Sequence, residues 1–136
     1  MKKKYLSKII ARDLDSLQII SACTAEAKVK VAEIKYLPKN KIFLFSIERL
    51  NKEDKKNSNK INSIVEFGNI LSTKLNNFKS LDKDEILKLF AIDQLKKENN
   101  YEIILLFSLN RYITLSAEVI DIELTDQMTN DKDTEL

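Results

Sequence analysis

Hydrophobic positions along this chain recur first at a helical period and then at an extended one. Residues 5–11, YLSKIIA, are short and rich in apolar and β-branched types, the pattern of a first strand. Asp13 then precedes LDSLQIISACTAEA, where Leu14, Leu17, Ile20, Cys23 and Ala27 recur at spacings of three and four and form one stripe of an amphipathic helix. Asp13 suits the cap of that helix, because its carboxylate accepts from the free N–H groups of the first turn, and Asp15 complements the dipole there.

From residue 28 the period falls to two. In KVKVAEIKYLP, Val29 and Val31 share a face, but Ile34 and Tyr36 continue on the opposite parity. A slip of one residue predicts a bulge or sharp bend near Ala32 and Glu33. Pro38 and Asn40 then mark a turn, and KIFLFSIERL returns with Phe43, Phe45 and Ile47 on one face, so the two segments read as a hairpin. The segment INSIVEFGNILSTKLNNF holds the only glycine, and Gly68-Asn69 suits either a two-residue hairpin turn with Phe67 opposite Ile70 or a bulge in one long bent strand. LDKDEILKLFAIDQL reads as strand, with a helix capped by Asp82 as its alternative. YEIILLFSL is apolar on both parities and predicts a central strand covered on both sides. RYITLSAEVIDIELTD slips phase once, which predicts a long strand bulged near Val119 or, alternatively, a short helix from Ala117.

These elements make an α+β domain over residues 1–126. It is a mostly antiparallel twisted sheet or partly open barrel of about seven strands, with one N-terminal helix. Residues 127–136 form a polar, acidic tail with few packing groups. At 136 residues the chain is the length of one domain, large enough to need no metal or disulfide for stability.

Composition narrows the chemistry. The chain has no His, one Gly and one Cys, which excludes a Ser-His or Cys-His pair, a zinc helix, a glycine-rich phosphate loop and an intramolecular disulfide. The lone Cys23 lies on the apolar stripe, where a thiol packs as a small hydrophobe. Only carboxylates are left as catalytic or metal-binding groups. Asp13 and Asp15 read as capping residues, and Glu118, Asp121, Glu123 and Asp126 read as solvated strand positions without the spacing of a calcium loop. No cofactor is implied. The lysine-led start is interrupted at Ser7 and Lys8, too early for a secretion signal, and no apolar run approaches the roughly 18 residues of a membrane span. The compartment expected is the cytoplasm.

Charge is uneven. Residues 1–60 carry 15 Lys or Arg against 7 Asp or Glu, whereas residues 61–136 carry 8 against 14. The basic half invites a nucleic-acid reading, but 20 of the 23 cations are Lys, and the lysine block at residues 51–60 has no aromatic interleaved. The better cluster is Lys30, Lys35, Lys39 and Lys41 with Tyr36 and Arg49, which the bend at Ala32 and the turn at Pro38 would gather on one rim of the sheet. Such a rim predicts a noncatalytic binding or adaptor module with a protein partner, acting through a sheet edge or this basic hairpin. Nucleic acid, RNA in particular, is the alternative ligand, and a carboxylate-dependent enzyme or metal protein is the third reading.

The pieces ARDLDSLQIISA, KVAEIKYLPKNKIFLF, VEFGNIL and RYITLSAEVIDIELTD, in this order, resemble an uncharacterised alphaproteobacterial family catalogued as domain of unknown function 2948. The resemblance spans nearly the whole chain and implies one compact intracellular domain with no assigned site.

Overall fold

A computed structural model describes residues 8–50, 60–79 and 81–127. The lysine block at 51–59 and the tail at 128–136 lie outside the described residues. In chain order the elements are β1 (Lys8–Ala11), α1 (Leu14–Thr24), β2 (Ala27–Lys30), a 3-10 turn (Val31–Glu33), β3 (Lys35–Leu37), β4 (Ile42–Leu50), β5 (Lys60–Phe67), β6 (Ile70–Asn76), β7 (Ile86–Lys96), β8 (Tyr101–Phe107), β9 (Arg111–Ala117) and β10 (Ile122–Asp126). Every pairing is antiparallel. The strands run in the order β1-β10-β5-β4-β2-β7-β8-β9-β6, and β3 also pairs with β4. This path has two ends, β1 and β6, so the sheet is not closed into a barrel.

The sheet therefore holds ten strands where about seven were expected. Bends account for the difference. The phase slip near Ala32 is the 3-10 turn, which divides β2 from β3. The slip near Val119 is an interruption at residues 118–121 that divides β9 from β10. Gly68 is not the turn of a hairpin: β5 pairs with β10 and β6 with β9, so residues 60–76 are a single extended run that turns a corner. The two long runs turn together, with the Gly68 N–H donating to the Asp121 carbonyl at 2.8 Å and the Glu118 N–H to the Asn69 carbonyl at 2.9 Å. A Cβ at position 68 would stand 2.9 Å from Asp121 Oδ2, so a larger residue here has to displace the Asp121 side chain, whose carboxylate also accepts from the Asn69 amide.

One face of the sheet is apolar across its width. In register, Ala11, Ile122, Phe67, Phe43 and Tyr36 form a row from β1 to β3. The phenyl rings of Phe43, Phe45 and Phe67 lie with centroids 6.0 Å apart, and Phe107 meets Phe45 at 6.3 Å. These rings make the centre of the core. The β8 strand is covered on one side only. Ile103, Leu105 and Phe107 are buried, but on the other side Ile104 is half-buried and Leu106 exposed, because no layer of the described residues packs over that face.

The helix packs into the core and also reaches the edge of β7. Leu17 and Ile20 of the expected stripe are buried, whereas Leu14 is exposed and Cys23 only half-buried, with Thr24 the buried residue of the last turn. Ser21 Oγ accepts from the Ile92 N–H at 2.9 Å, which supplies a partner to β7 beyond the last residue of its ladder with β2. Asp13 caps the helix as expected, accepting from the Ser16 N–H at 2.9 Å and from the Ser16 hydroxyl, while Ser16 Oγ accepts from the Asp13 N–H in return.

The Ser16 hydroxyl and N–H hold the Asp13 carboxyl below its ordinary value of 3.8. Its folded value is thus lower than its unfolded one, so this contribution is complete above the unfolded value and is lost as pH falls through the folded one. Urea melts taken from pH 6 to pH 2 are expected to show a shallower acid limb for Asp13→Ala than for the parent. The β8–β9 connection carries a separate cost. Leu109 and Asn110 both have positive φ, 61° and 60°, and Leu109 is 69% exposed, so its side chain packs little while its backbone is strained. Leu109→Asn should stabilise the fold by about 1 kcal/mol in the same melts, since Asn tolerates this conformation.

Candidate functional site

Alternation that buries one face of β2, β4, β5 and β7 turns their remaining side chains outward. Asn62, Glu48, Lys28 and Lys88 then stand in a row across four strands, each directly opposite the next in register. Directly opposed residues share a face with their Cβ atoms roughly 5 Å apart, and like charges so placed repel. Lys28 and Lys88 are such a pair. Lys30 lies two residues along β2 on the same face, opposite Ile86.

The strands beside β4 do not form one continuous neighbour. β3 stands opposite residues Ile42 to Leu44, β2 stands opposite Glu48 alone, and no residue of either is in register with residues 45–47. The 3-10 turn carries the chain across that gap. The outer face is consequently indented by a cleft of about 480 Å³, lined by Lys28, Lys30, Glu33, Glu48, Asn62 and Gln127 with Ser46 among others. A second hollow of about 340 Å³, which Lys60 and Lys88 line, shares Lys28 and Glu48 with it. Among the described residues, none of Lys28, Lys30, Lys60 and Lys88 forms an ion pair, whereas Lys8, Lys41 and Lys97 each hold a glutamate.

The residues that the sequence gathers on one rim are separated by the fold. Lys30 lines the cleft, and Lys35 faces the same way from β3, in a row with Leu44 and Glu66. Tyr36 follows Lys35 and so points to the opposite face, half-buried against the core, with its hydroxyl donating to the Ile70 carbonyl at 3.3 Å. Lys39 is exposed in the turn, and Lys41, with φ of 58°, meets Glu118 at 3.6 Å away from the cleft. Arg49 is inside the protein, only 2% exposed. Lys28, Lys60 and Lys88 were not singled out by sequence. Lys28 shares the parity of Lys30 and was legible to that extent, but the positions of Lys60 and Lys88 depend on strand order.

Arg49 and Asp126 form a buried pair that ties the last strand to the middle of the sheet. Arg49 Nη2 donates to Asp126 Oδ1 at 2.9 Å and to Oδ2 at 3.2 Å, and its Nε donates to Ser63 Oγ at 3.2 Å. Ser63 Oγ donates in turn to Asp126 Oδ1 at 2.6 Å. The other C-terminal carboxylates disperse. Glu118 takes Lys41, Glu123 takes Lys8, and Asp121 takes Arg12 together with the Asn69 amide. Among the described residues no three His, Cys, Asp or Glu side chains gather as metal ligands, and no helix is long and apolar enough to cross a membrane.

Removing one member of a buried, hydrogen-bonded ion pair strands the other charge, at a cost of about 3–5 kcal/mol. Arg49→Met is expected to destabilise by about that much in denaturant melts, and Arg49→Met with Asp126→Leu to recover most of the loss, since an apolar replacement leaves no charge unpaired.

A search of curated proteins returns no match to the chain. A family model described as Protein of unknown function (DUF2948) matches residues 7–135. With nearly its whole length matched, this chain belongs to that family.

Proposed function

We propose that the protein is a noncatalytic binding or adaptor module of the cytoplasm, and that its working surface is the lysine-lined cleft on the outer face of β2, β4, β5 and β7. The observation that carries this reading is the direct opposition of Lys28 and Lys88, with Lys30 two residues away. Two like charges facing across adjacent strands destabilise the sheet by a few tenths of a kcal/mol to about 1 kcal/mol, and an anionic partner reverses the sign of that term. The partner that fits is an acidic protein segment in extended conformation. Ser46, Asn62 and Gln127 supply hydrogen-bonding groups along the cleft, Lys28 and Lys30 supply cationic charge beside Glu33 and Glu48, and Lys88 adds to it from the adjoining hollow.

An acidic peptide is favoured over RNA by where the aromatics sit. Single-stranded nucleic acid is held by bases stacked on aromatic side chains as well as by phosphate contacts. Tyr36, Phe43, Phe45 and Phe67 all turn to the core face, and on the four strands of the surface the one aromatic left outward among the described residues is Phe90 of β7, 50% exposed, a single ring rather than a run of stacking platforms.

Titration with a fluorescent peptide alternating Glu and Val, at low salt, is expected to show saturable binding that Lys28→Glu with Lys88→Glu weakens at least about tenfold. The same pair of substitutions sets three acidic side chains in a row with Glu48 and should lower the thermal midpoint modestly with the circular-dichroism spectrum unchanged, while Lys88→Thr alone should raise it, because it removes the opposed charge. No binding of the peptide, or equal binding by the double variant, would overturn the proposal. Tighter, steeply salt-dependent binding of a single-stranded RNA would replace it with the nucleic-acid reading.

A further inference from the structure

The two ends of the sheet are protected unequally. At one end β1, four residues long among the described residues, carries the Lys8–Glu123 ion pair and leads into the helix. At the other end β6 is seven residues long, and among the described residues it pairs with β9 alone. Its sequence, ILSTKLN, holds one charge, Lys74. Ile70 is held by the Lys41 carbonyl and the Tyr36 hydroxyl, and a bulge follows at Leu71. From Ser72 to Asn76, however, the outward N–H and C=O groups have no ladder partner among the described residues, and an edge with so little charge is a template for another strand.

The core also runs out at this edge. In register, Ile92 of β7, Leu105 of β8, Ile113 of β9 and Leu75 of β6 form one apolar row. The first three are at most 3% exposed, and Leu75 is 54% exposed. A hollow of about 400 Å³ bordered by Leu75 and Phe78 opens beside it. Leu71, the extra residue of the bulge between Ile70 and Ser72, is 44% exposed on the same strand.

We infer that β6 pairs with β6 of a second copy of this chain, antiparallel, about a twofold axis through Thr73. The strand is self-complementary in that register and no charge meets its like. Thr73 faces Thr73 of the second copy, and each Leu75 faces a Leu71, so the apolar row continues across the axis. Each Lys74 faces a Ser72. An isologous contact of this kind closes on itself as a dimer and does not propagate. Its area is that of one strand pair, below the roughly 1,600 Å² of a standard stable interface, so association is concentration-dependent. This surface is separate from the lysine cleft, and the inference does not rest on the function proposed above.

Sedimentation equilibrium of the full chain tests it. The mass is expected to rise from 15.8 kDa toward twice that value as concentration passes through about 10–500 µM. Thr73→Lys places two cations face to face on the axis and should weaken association at least about tenfold, with a circular-dichroism melt confirming that the variant folds. Thr73→Cys gives a second readout that needs no loss of stability. Directly opposed residues of antiparallel strands have Cα atoms about 4.5–5.5 Å apart, within disulfide reach, so mild oxidation should trap a covalent dimer. Lys74→Cys, offset by two residues from its own copy, should not be trapped. A monomer mass across the whole range, undiminished association of Thr73→Lys, or equal trapping at positions 73 and 74 would each overturn the inference.

Discussion

Two long strands turning one corner together hold this molecule's architecture. Residues 60–76 and 111–126 pair along their length as β5 with β10 and β6 with β9, and both bend where Gly68 approaches Asp121. The bend lets one antiparallel sheet supply both sides of its own core. β1, β10, β5, β4 and β3 contribute Ala11, Ile122, Phe67, Phe43 and Tyr36, while β7, β8 and β9 contribute Leu89, Phe107 and Ile113. The helix closes the edge that β2 leaves open on β7. A flat sheet of the same strands would leave these aromatic and aliphatic side chains wet, at about 25 cal/mol for each Å² of apolar surface.

The corner also explains how charge is distributed. Carboxylates that follow one another at residues 118–126 are separated by the bend and the pleat, and each meets a different partner: Lys41, Arg12, Lys8 and the buried Arg49. The C-terminal strand is pinned at both ends, by Asp121 at the corner and by Asp126 at the far end of β4 and β5. The cations of β2 and β7, in contrast, face one another. On that face Glu33 and Glu48 stand beside Lys28 and Lys30 without an ion pair among the described residues, and Lys88 comes from the otherwise acidic second half of the chain. That residual charge beside a gap in the strand order is the physical basis of the proposed binding surface.

Periodicity alone determined a good deal. The α1 start and cap at Asp13, the inward set Phe43, Phe45 and Ile47, and the bend near Ala32 follow from local spacing, while spacing favoured extended backbone from Ile86 to Lys96 and a break near Val119 without eliminating a helix at either place. Each of these depends on neighbours a few residues away, which is the range over which side-chain parity and capping chemistry act. Membership of the family follows from sequence as well.

Tertiary structure decided what lies opposite what. Gly68-Asn69 satisfies the local rules of both a hairpin and a bent strand, and only pairing with residues some fifty positions away selects the second. Arg49 has the parity of the core residues Phe45 and Ile47, yet whether a cation at that parity reaches water depends on Asp126 and Ser63 arriving from two other strands. Tyr36 and Lys35 are adjacent in sequence and must face opposite sides of the sheet. Lys28 and Lys88 are sixty residues apart and face each other. Register and strand order are non-local quantities, set by how the apolar faces close over one another, so the same residues read as a string of lysines in the chain and as an opposed pair beside a cleft in the fold.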